Sequence, residues 1–315
     1  MSDQTQTEIA ESRRRAEIQA KEVRPSTPTW RRAWRSLERA RWPILAISYL
    51  LIIVLVAIFC VQLAPKDPNR QNLIRRLQPP LTVDENGEME YWLGSDGLGR
   101  DVLSRVLYGA RISILVGLMA VTLGGLVGST LGMTAGYMGG KVDDVIMRIA
   151  DIQLAFPFIL LAIMVLVVLG SGIINLILVL GIGQWVTYAR IARGETIAQR
   201  EKEYVEAARA TGVRNHRIVF HTVLPNILAP LIVIASFNVA SVILAEAALS
   251  FLGLGVPPDV PSWGGMLAES RDQLLGGFWW LAVFPGLAIM MTVLSLNILG
   301  DWMRDFLDPR LRGND

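Results

Sequence analysis

Six stretches of this sequence are apolar for long enough to cross a lipid bilayer, and few folds tolerate that. The hydrocarbon core requires about 20 apolar residues in a helix. The stretches are 43–64, 112–136, 153–170, 172–189, 227–253 and 279–300. Lipid offers no hydrogen-bond partners, so each segment must satisfy its own backbone, which an α-helix does. The expectation is an all-α polytopic membrane protein with six transmembrane helices. Composition agrees: 52% of the residues are hydrophobic and only 18% charged, more apolar than an ordinary soluble domain. Stretches three and four are separated only by Gly170-Ser171-Gly172. That spacing predicts a tight turn at a membrane surface, with a single re-entrant feature as the alternative.

The first 42 residues are polar and charged, and the 22 residues of 43–64 exceed the apolar core of a signal peptide. The reading is a retained anchor behind an N-terminal tail. Positively charged residues set orientation. With the N-terminus inside, the inside segments 1–42, 137–152, 189–226 and 303–315 hold 22 Lys and Arg, and the outside segments hold seven. Both termini are therefore expected in the cytoplasm. The expected order is a tail (1–42), a first span (43–64), an outer loop (65–111), a core (112–302) carrying an inner loop (190–226), and a second tail (303–315). Residues 1–29 carry Pro25 and Pro28 and lack periodicity, which predicts disorder. Trp30, Arg31, Arg32, Trp34, Arg35 and Trp42 suit the headgroup boundary, so membrane lipids are an expected partner.

Several chemistries drop out. A net charge of +2 gives no field for nucleic acid. The single cysteine, Cys60, permits no internal disulfide and no thiolate metal site. His216 and His221 are too few for zinc, so no metal is expected. Gly139-Gly140-Lys141 is followed by Val142 and lacks the earlier glycine of a phosphate loop. The run from Gly94 to Gly99 follows no predicted strand. No nucleophile–base pair stands out, so no catalytic residue is assigned and the chain is not read as an enzyme. Energy from ATP would have to enter through another subunit.

Two patterns inside the spans carry information. Gly124, Gly128, Gly132 and Gly136 recur every four residues, a smooth stripe that lets helices approach closely. Spacing leaves open whether the stripe packs within the chain or against a partner. Gln184, Ser236, Asn238, Ser241 and Glu246 are polar residues in apolar spans, which default to functional hypotheses. Asn238, Ser241 and Glu246 are read as sharing roughly one helix face. Together the five would line a polar pathway, or else fix packing by interhelical hydrogen bonds.

The inner loop is the most informative segment. Residues 195–210 are strong helix formers, and Gly212 is placed to end that helix with a left-handed residue. A second short helix from Asn215 is predicted, with Pro225 marking the start of the fifth span. Ala207, Ala208 and Ala210 make a compact knob, rimmed by Glu206 and arginines; a solvated surface loop is the plainer reading.

Glu206-Ala207-Ala208, then Gly212, then Thr222-Val223-Leu224-Pro225 is similar to the EAA motif of ABC-importer permeases. Thr222 departs from it, since the family usually has an aliphatic residue there. The stretch from Trp92 to Arg105 resembles dipeptide and oligopeptide permeases of the C-subunit type. So do Gly136 to Asp143, with Met147, Arg148 and Asp151 behind them, and Asn297 to Arg310. The resemblance spans about residues 43–312. It implies a type I ABC-importer permease fold and alternating-access import of di- or oligopeptides. Glutathione or nickel chelates are the alternatives within the family, and ion-coupled transport is the alternative outside it. It further implies that Glu206, Ala207, Ala208, Gly212, Leu224 and Pro225 form the coupling site. The implied partners are a second, homologous permease in a heterodimer, two ATP-binding subunits holding ATP and Mg2+, and a periplasmic or lipid-anchored substrate-binding protein. No cofactor would be bound by this chain itself.

Overall fold

The computed structural model describes residues 41–307. The two expected tails therefore fall largely outside the described residues, the Trp30–Arg35 segment among them.

Helix α1 is Arg41–Leu63, apolar on every side and largely exposed, as a lipid-facing span should be. Its Tyr49 hydroxyl reaches Thr292 at 3.3 Å. The outer loop then folds into a small lobe instead of running free. Strands β1 (Thr82–Val83) and β2 (Met89–Tyr91) pair antiparallel around a turn at Gly87, whose φ of 82° suits glycine. Asp101 ends the lobe by capping helix α2, Val102–Met138, accepting from the Ser104 amide at 2.8 Å. At 37 residues α2 is about 55 Å long, so it reaches well beyond the bilayer core at 1.5 Å per residue.

Helix α3 (Gly140–Leu154) and helix α4 (Phe158–Leu169) follow, bent 86° from each other. Pro157 breaks them, because it has no N–H to donate and disfavours helix in the residue before it. The third expected span is thus divided. α4 alone has 12 residues, about 18 Å, too short to cross. Among the described residues five helices are long and apolar enough to span, and a sixth counts only if the bent pair is one span. Asp143 and Asp151 lie on helix α3.

Helix α5 is Ile173–Arg200 and helix α6 is Glu203–Ala210. Helix α7 runs unbroken over Asn215–Phe251. The expected boundary at Pro225 is absent: a π turn at Ile218–Val223 widens the helix just ahead of the proline, which relieves its clash with the carbonyl one turn back. Helix α8 (Trp263–Leu274), capped by Ser262, returns to the lobe, and helix α9 (Trp280–Leu307) closes the fold.

The core is the contact of α2, α5 and α7, filled by Val116, Leu176, Leu180, Ile227 and Ile243. The four stripe glycines all face α5. A methyl group on Gly128 would collide with the Trp185 carbonyl, and one on Gly132 with the Ala189 carbonyl. Gly124 abuts Gly181 and Gln184, and Gly136 abuts Arg193 and Thr196. The stripe therefore packs within this chain, and backbone meets backbone.

Candidate functional site

The end of the molecule where α2 stops and α6 lies is built from short, locally determined pieces. Glu203 and Glu206 sit in the first turn of α6 and Arg209 in its last, each with the sign that the helix dipole favours. The helix ends as a Schellman motif. The Val213 amide donates to the Ala208 carbonyl at 3.1 Å and the Gly212 amide to the Arg209 carbonyl at 2.9 Å. Gly212 has φ 76°, which a side chain would strain. Thr211 Oγ1 donates to the Ala207 and Ala208 carbonyls at 3.1 and 3.0 Å.

Val205 is fully buried and anchors α6 against Ile218, Val219 and Val223. Glu206, Ala207, Arg209, Ala210 and Gly212 are exposed and Ala208 is half-buried. Leu224 is half-buried and Pro225 exposed, directly after the widened part of α7. The six residues that share the EAA spacing thus divide into an exposed set, Glu206, Ala207, Gly212 and Pro225, and a half-buried pair, Ala208 and Leu224.

Residues outside that motif hold the site in place. Tyr137, in the last turn of α2, accepts from Arg209 Nε at 3.1 Å and donates to Asn215 Oδ1 at 3.2 Å. The Arg209 guanidinium also lies 4.8 Å over the Tyr137 ring. Arg200 Nη1 donates to the Gly136 and Tyr137 carbonyls at 3.2 and 3.3 Å, capping the end of α2. Arg193 grips Asp143 with two nitrogens, at 2.5 and 2.6 Å, and Arg190 meets Asp151 at 2.6 Å, so α5 carries α3. Sequence reading assigned none of these roles. A tyrosine directly after the glycine stripe is the one local signal for them.

The polar span residues do not form one line. Glu246 is fully buried, accepting from Ser250 at 2.7 Å and Ser113 at 3.1 Å. Asn238 is buried too, but Ser241 is exposed. Measured from Asn238, three residues turn the helix about 60° one way and eight turn it about 80° the other, at 100° per residue. Ser241 and Glu246 thus point about 140° apart, which corrects the shared-face expectation. Gln184 is half-buried at the α2–α5 contact, and Ser236 Oγ donates to its own helix at Val233 O, 2.7 Å, beside Gly300.

The charges of the outer segment pair across elements. Arg100 bonds Asp96 at 2.6 Å across a loop turn. Asp101 serves as the α2 cap, and Arg105 turns to Glu269 of α8 at 3.0 Å. Glu269 also takes Arg100 at 2.6 Å. These four charges line a cavity of about 270 Å³ with Gln273 and Met266.

Residues 128–313 match the family described as "Binding-protein-dependent transport system inner membrane component". The chain belongs to this family. It is an ABC-importer permease, a multi-pass inner-membrane protein. Residues 29–80 of the permease match a second description, "N-terminal TM domain of oligopeptide transport permease C". The permease is 41% identical to the di/tripeptide transport system permease DppC of Pseudomonas aeruginosa, over 89% of this chain and 91% of that one. It is 40% identical to the glutathione transport system permease GsiD of Pectobacterium atrosepticum, over 94% of this chain and 95% of that one. A solved inward-facing form of the MetNI methionine ABC transporter shares its fold, with a TM-score of 0.53 and 18% identity over 65% of this chain and 97% of that one.

Proposed function

We propose that the permease imports short peptides and that α6 is where ATP-binding subunits dock. The observation that carries the docking reading is the division of α6. Val205 seals it to the body, while Glu206, Ala207 and Gly212 stand outward, the last two small enough for a partner's groove to enclose and the first a charge at its rim. Ala208 and Leu224 are half-buried against the apolar core, and Pro225 is exposed on α7. On this reading α6 and both termini face the cytoplasm. The partner permease forms a heterodimer with this chain, ATP and Mg2+ reside on two ATP-binding subunits, and a periplasmic or lipid-anchored binding protein delivers substrate. Transport is a shift between two packings of the spans, biased by ATP on one side and substrate on the other.

Short peptides are the substrate class that the relatives favour. One is named for di/tripeptides, another for dipeptides and a third for glutathione. Glutathione is itself a tripeptide, so it remains within the class. Of the five polar span residues, Ser241 has the open position on α7 and Gln184 borders the α2–α5 seam; these two are assigned to the pathway. Asn238, Glu246 and Ser236 are assigned to packing.

The test is co-purification of the tagged permease in mild detergent, wild type beside Glu206→Arg and Gly212→Trp. The ATP-binding subunit is expected with wild type and absent from both variants, which stay monodisperse. A wild-type permease that brings down no ATP-binding subunit, even after crosslinking in the membrane, overturns the docking reading. Uptake of a labelled dipeptide, competed by di- and tripeptides, tests the substrate class.

A further inference from the structure

The last turn of α2 gathers three separate elements. Arg200 from the end of α5 bonds the carbonyls of Gly136 and Tyr137. Arg209 from α6 and Asn215 from the start of α7 both bond the Tyr137 hydroxyl. Tyr137 is 6% exposed, so its hydroxyl is largely shielded from competing water. One buried phenol therefore receives a charged donor from one arm of the α6 turn and donates to the other arm.

Apart from an exposed bond from the Tyr204 hydroxyl to Gln199 Oε1 of α5, at 2.5 Å, the remaining side-chain support of α6 is apolar. Val205, Ala208 and Val213 rest on Ile218 and its neighbours. Apolar contacts are non-directional and let a short helix slide with little loss. Hydrogen bonds at 3.1 and 3.2 Å fall off steeply with distance and angle, so they fix register. Tyr137 also adjoins Gly136, where α2 touches the Arg193 backbone of α5 with no side chain between them. A displacement of α6 that reaches Tyr137 is delivered directly to the backbone contact between α2 and α5.

We propose that Tyr137 is a positioning residue that transmits movement of α6 to the α2–α5 pair, so that transport keeps step with ATP hydrolysis. The proposal rests on the reading of α6 as the docking element. Arg209 and Asn215 are its two contacts, and the tyrosine ring under Arg209 holds the donor in line.

The test uses the whole importer, with its partner permease, ATP-binding subunits and binding protein, in liposomes. The readout is peptide transported per ATP hydrolysed. Tyr137→Phe keeps the ring and loses both hydrogen bonds. Its ratio is expected to fall about fivefold or more, since losing even one ordinary hydrogen bond shifts an equilibrium by about that factor, with assembly unchanged. Asn215→Leu should lower the ratio in the same direction, and Asn215→Asp, which keeps the acceptor, should restore it. Crosslinking from Ala207→Cys to the ATP-binding subunit separates the two readings, since the native Cys60 is buried. Crosslinking in both backgrounds with a wild-type ratio in Tyr137→Phe overturns the transmission role and leaves docking intact. Absence of the crosslink from the otherwise wild-type importer overturns docking, and the transmission role with it.

Discussion

The two ends of α2 handle charge in opposite ways. At the lobe end, Asp96, Arg100, Arg105 and Glu269 close on one another, and the Arg105 side chain is only 2% exposed. At the other end, Glu206, Arg214 and Arg217 stand exposed around α6. Buried charges need partners on every side, and that requirement ties α8 to the start of α2 as one body. Exposed charges impose no such constraint and are available to a second protein. Rigidity is therefore built by neutralisation at one end, and adaptability is kept by leaving charges open at the other.

Asp96→Ala breaks the closed end most severely. Asp96 accepts from the Leu98 and Arg100 amides, both at 2.9 Å, and from Arg100 Nε at 2.6 Å. Its removal leaves two buried arginines sharing one carboxylate, an expected cost of about 3–5 kcal/mol. Thermal unfolding in detergent measures it, and an unchanged midpoint would refute the rigid-body reading of the lobe. Glu246→Leu comes next, since it strips the acceptor from two buried serines, at about 1–3 kcal/mol. Impaired transport or assembly is expected, with Glu246→Gln milder; normal uptake at normal subunit yield would sink this assignment.

Glu206→Ala inverts the comparison. Its effect on unfolding should stay within about 0.5 kcal/mol, as for an exposed site. Recovery of the ATP-binding subunit should nevertheless drop about tenfold, as for a central interface contact. Equal recovery would mean that the open end is merely solvated. The smallest effect belongs to the β1–β2 turn. The amides of Glu88 and Asn86 hold the Asp84 carboxyl below its usual range, with Arg75 adding to the effect. A depressed carboxyl stabilises the fold above the unfolded-state value and loses that contribution as pH falls through the folded one. Proteolysis at residues 84–88 should therefore stay slow down through the ordinary aspartate range and rise only below it; onset within that range would contradict the assignment.

Features set by the chain's local pattern were legible in the sequence. The left-handed Gly212 and the apolar spans within α2 and α7 follow from propensity and apolar run length, which need no partner, whereas the continuation of α7 back through Pro225 to Asn215 did not. The divided third span was also signalled, because Pro157 lies inside it, yet apolar run length hides a break. The pathway line failed for a geometrical reason: offsets of three and eight diverge on a 3.6-residue helix, so Ser241 and Glu246 separate. Tyr137 carried almost no signal of its own, because both its partners lie more than 70 residues away.

The sequence by itself determined that this chain crosses a membrane, where its long apolar stretches lie, and that a helix, glycine and proline recur at the spacing of an importer's coupling loop. Those properties reside in composition and local periodicity, where each residue's contribution is independent of distant ones. Only the tertiary structure decided which carboxylate meets Arg105, which helix receives the glycine stripe, and what fastens α6 to the spans. Each of these is a choice among many chemically equivalent partners. Packing α2 against α5 makes that choice, because only the side chains brought within hydrogen-bond reach can satisfy groups that water no longer can.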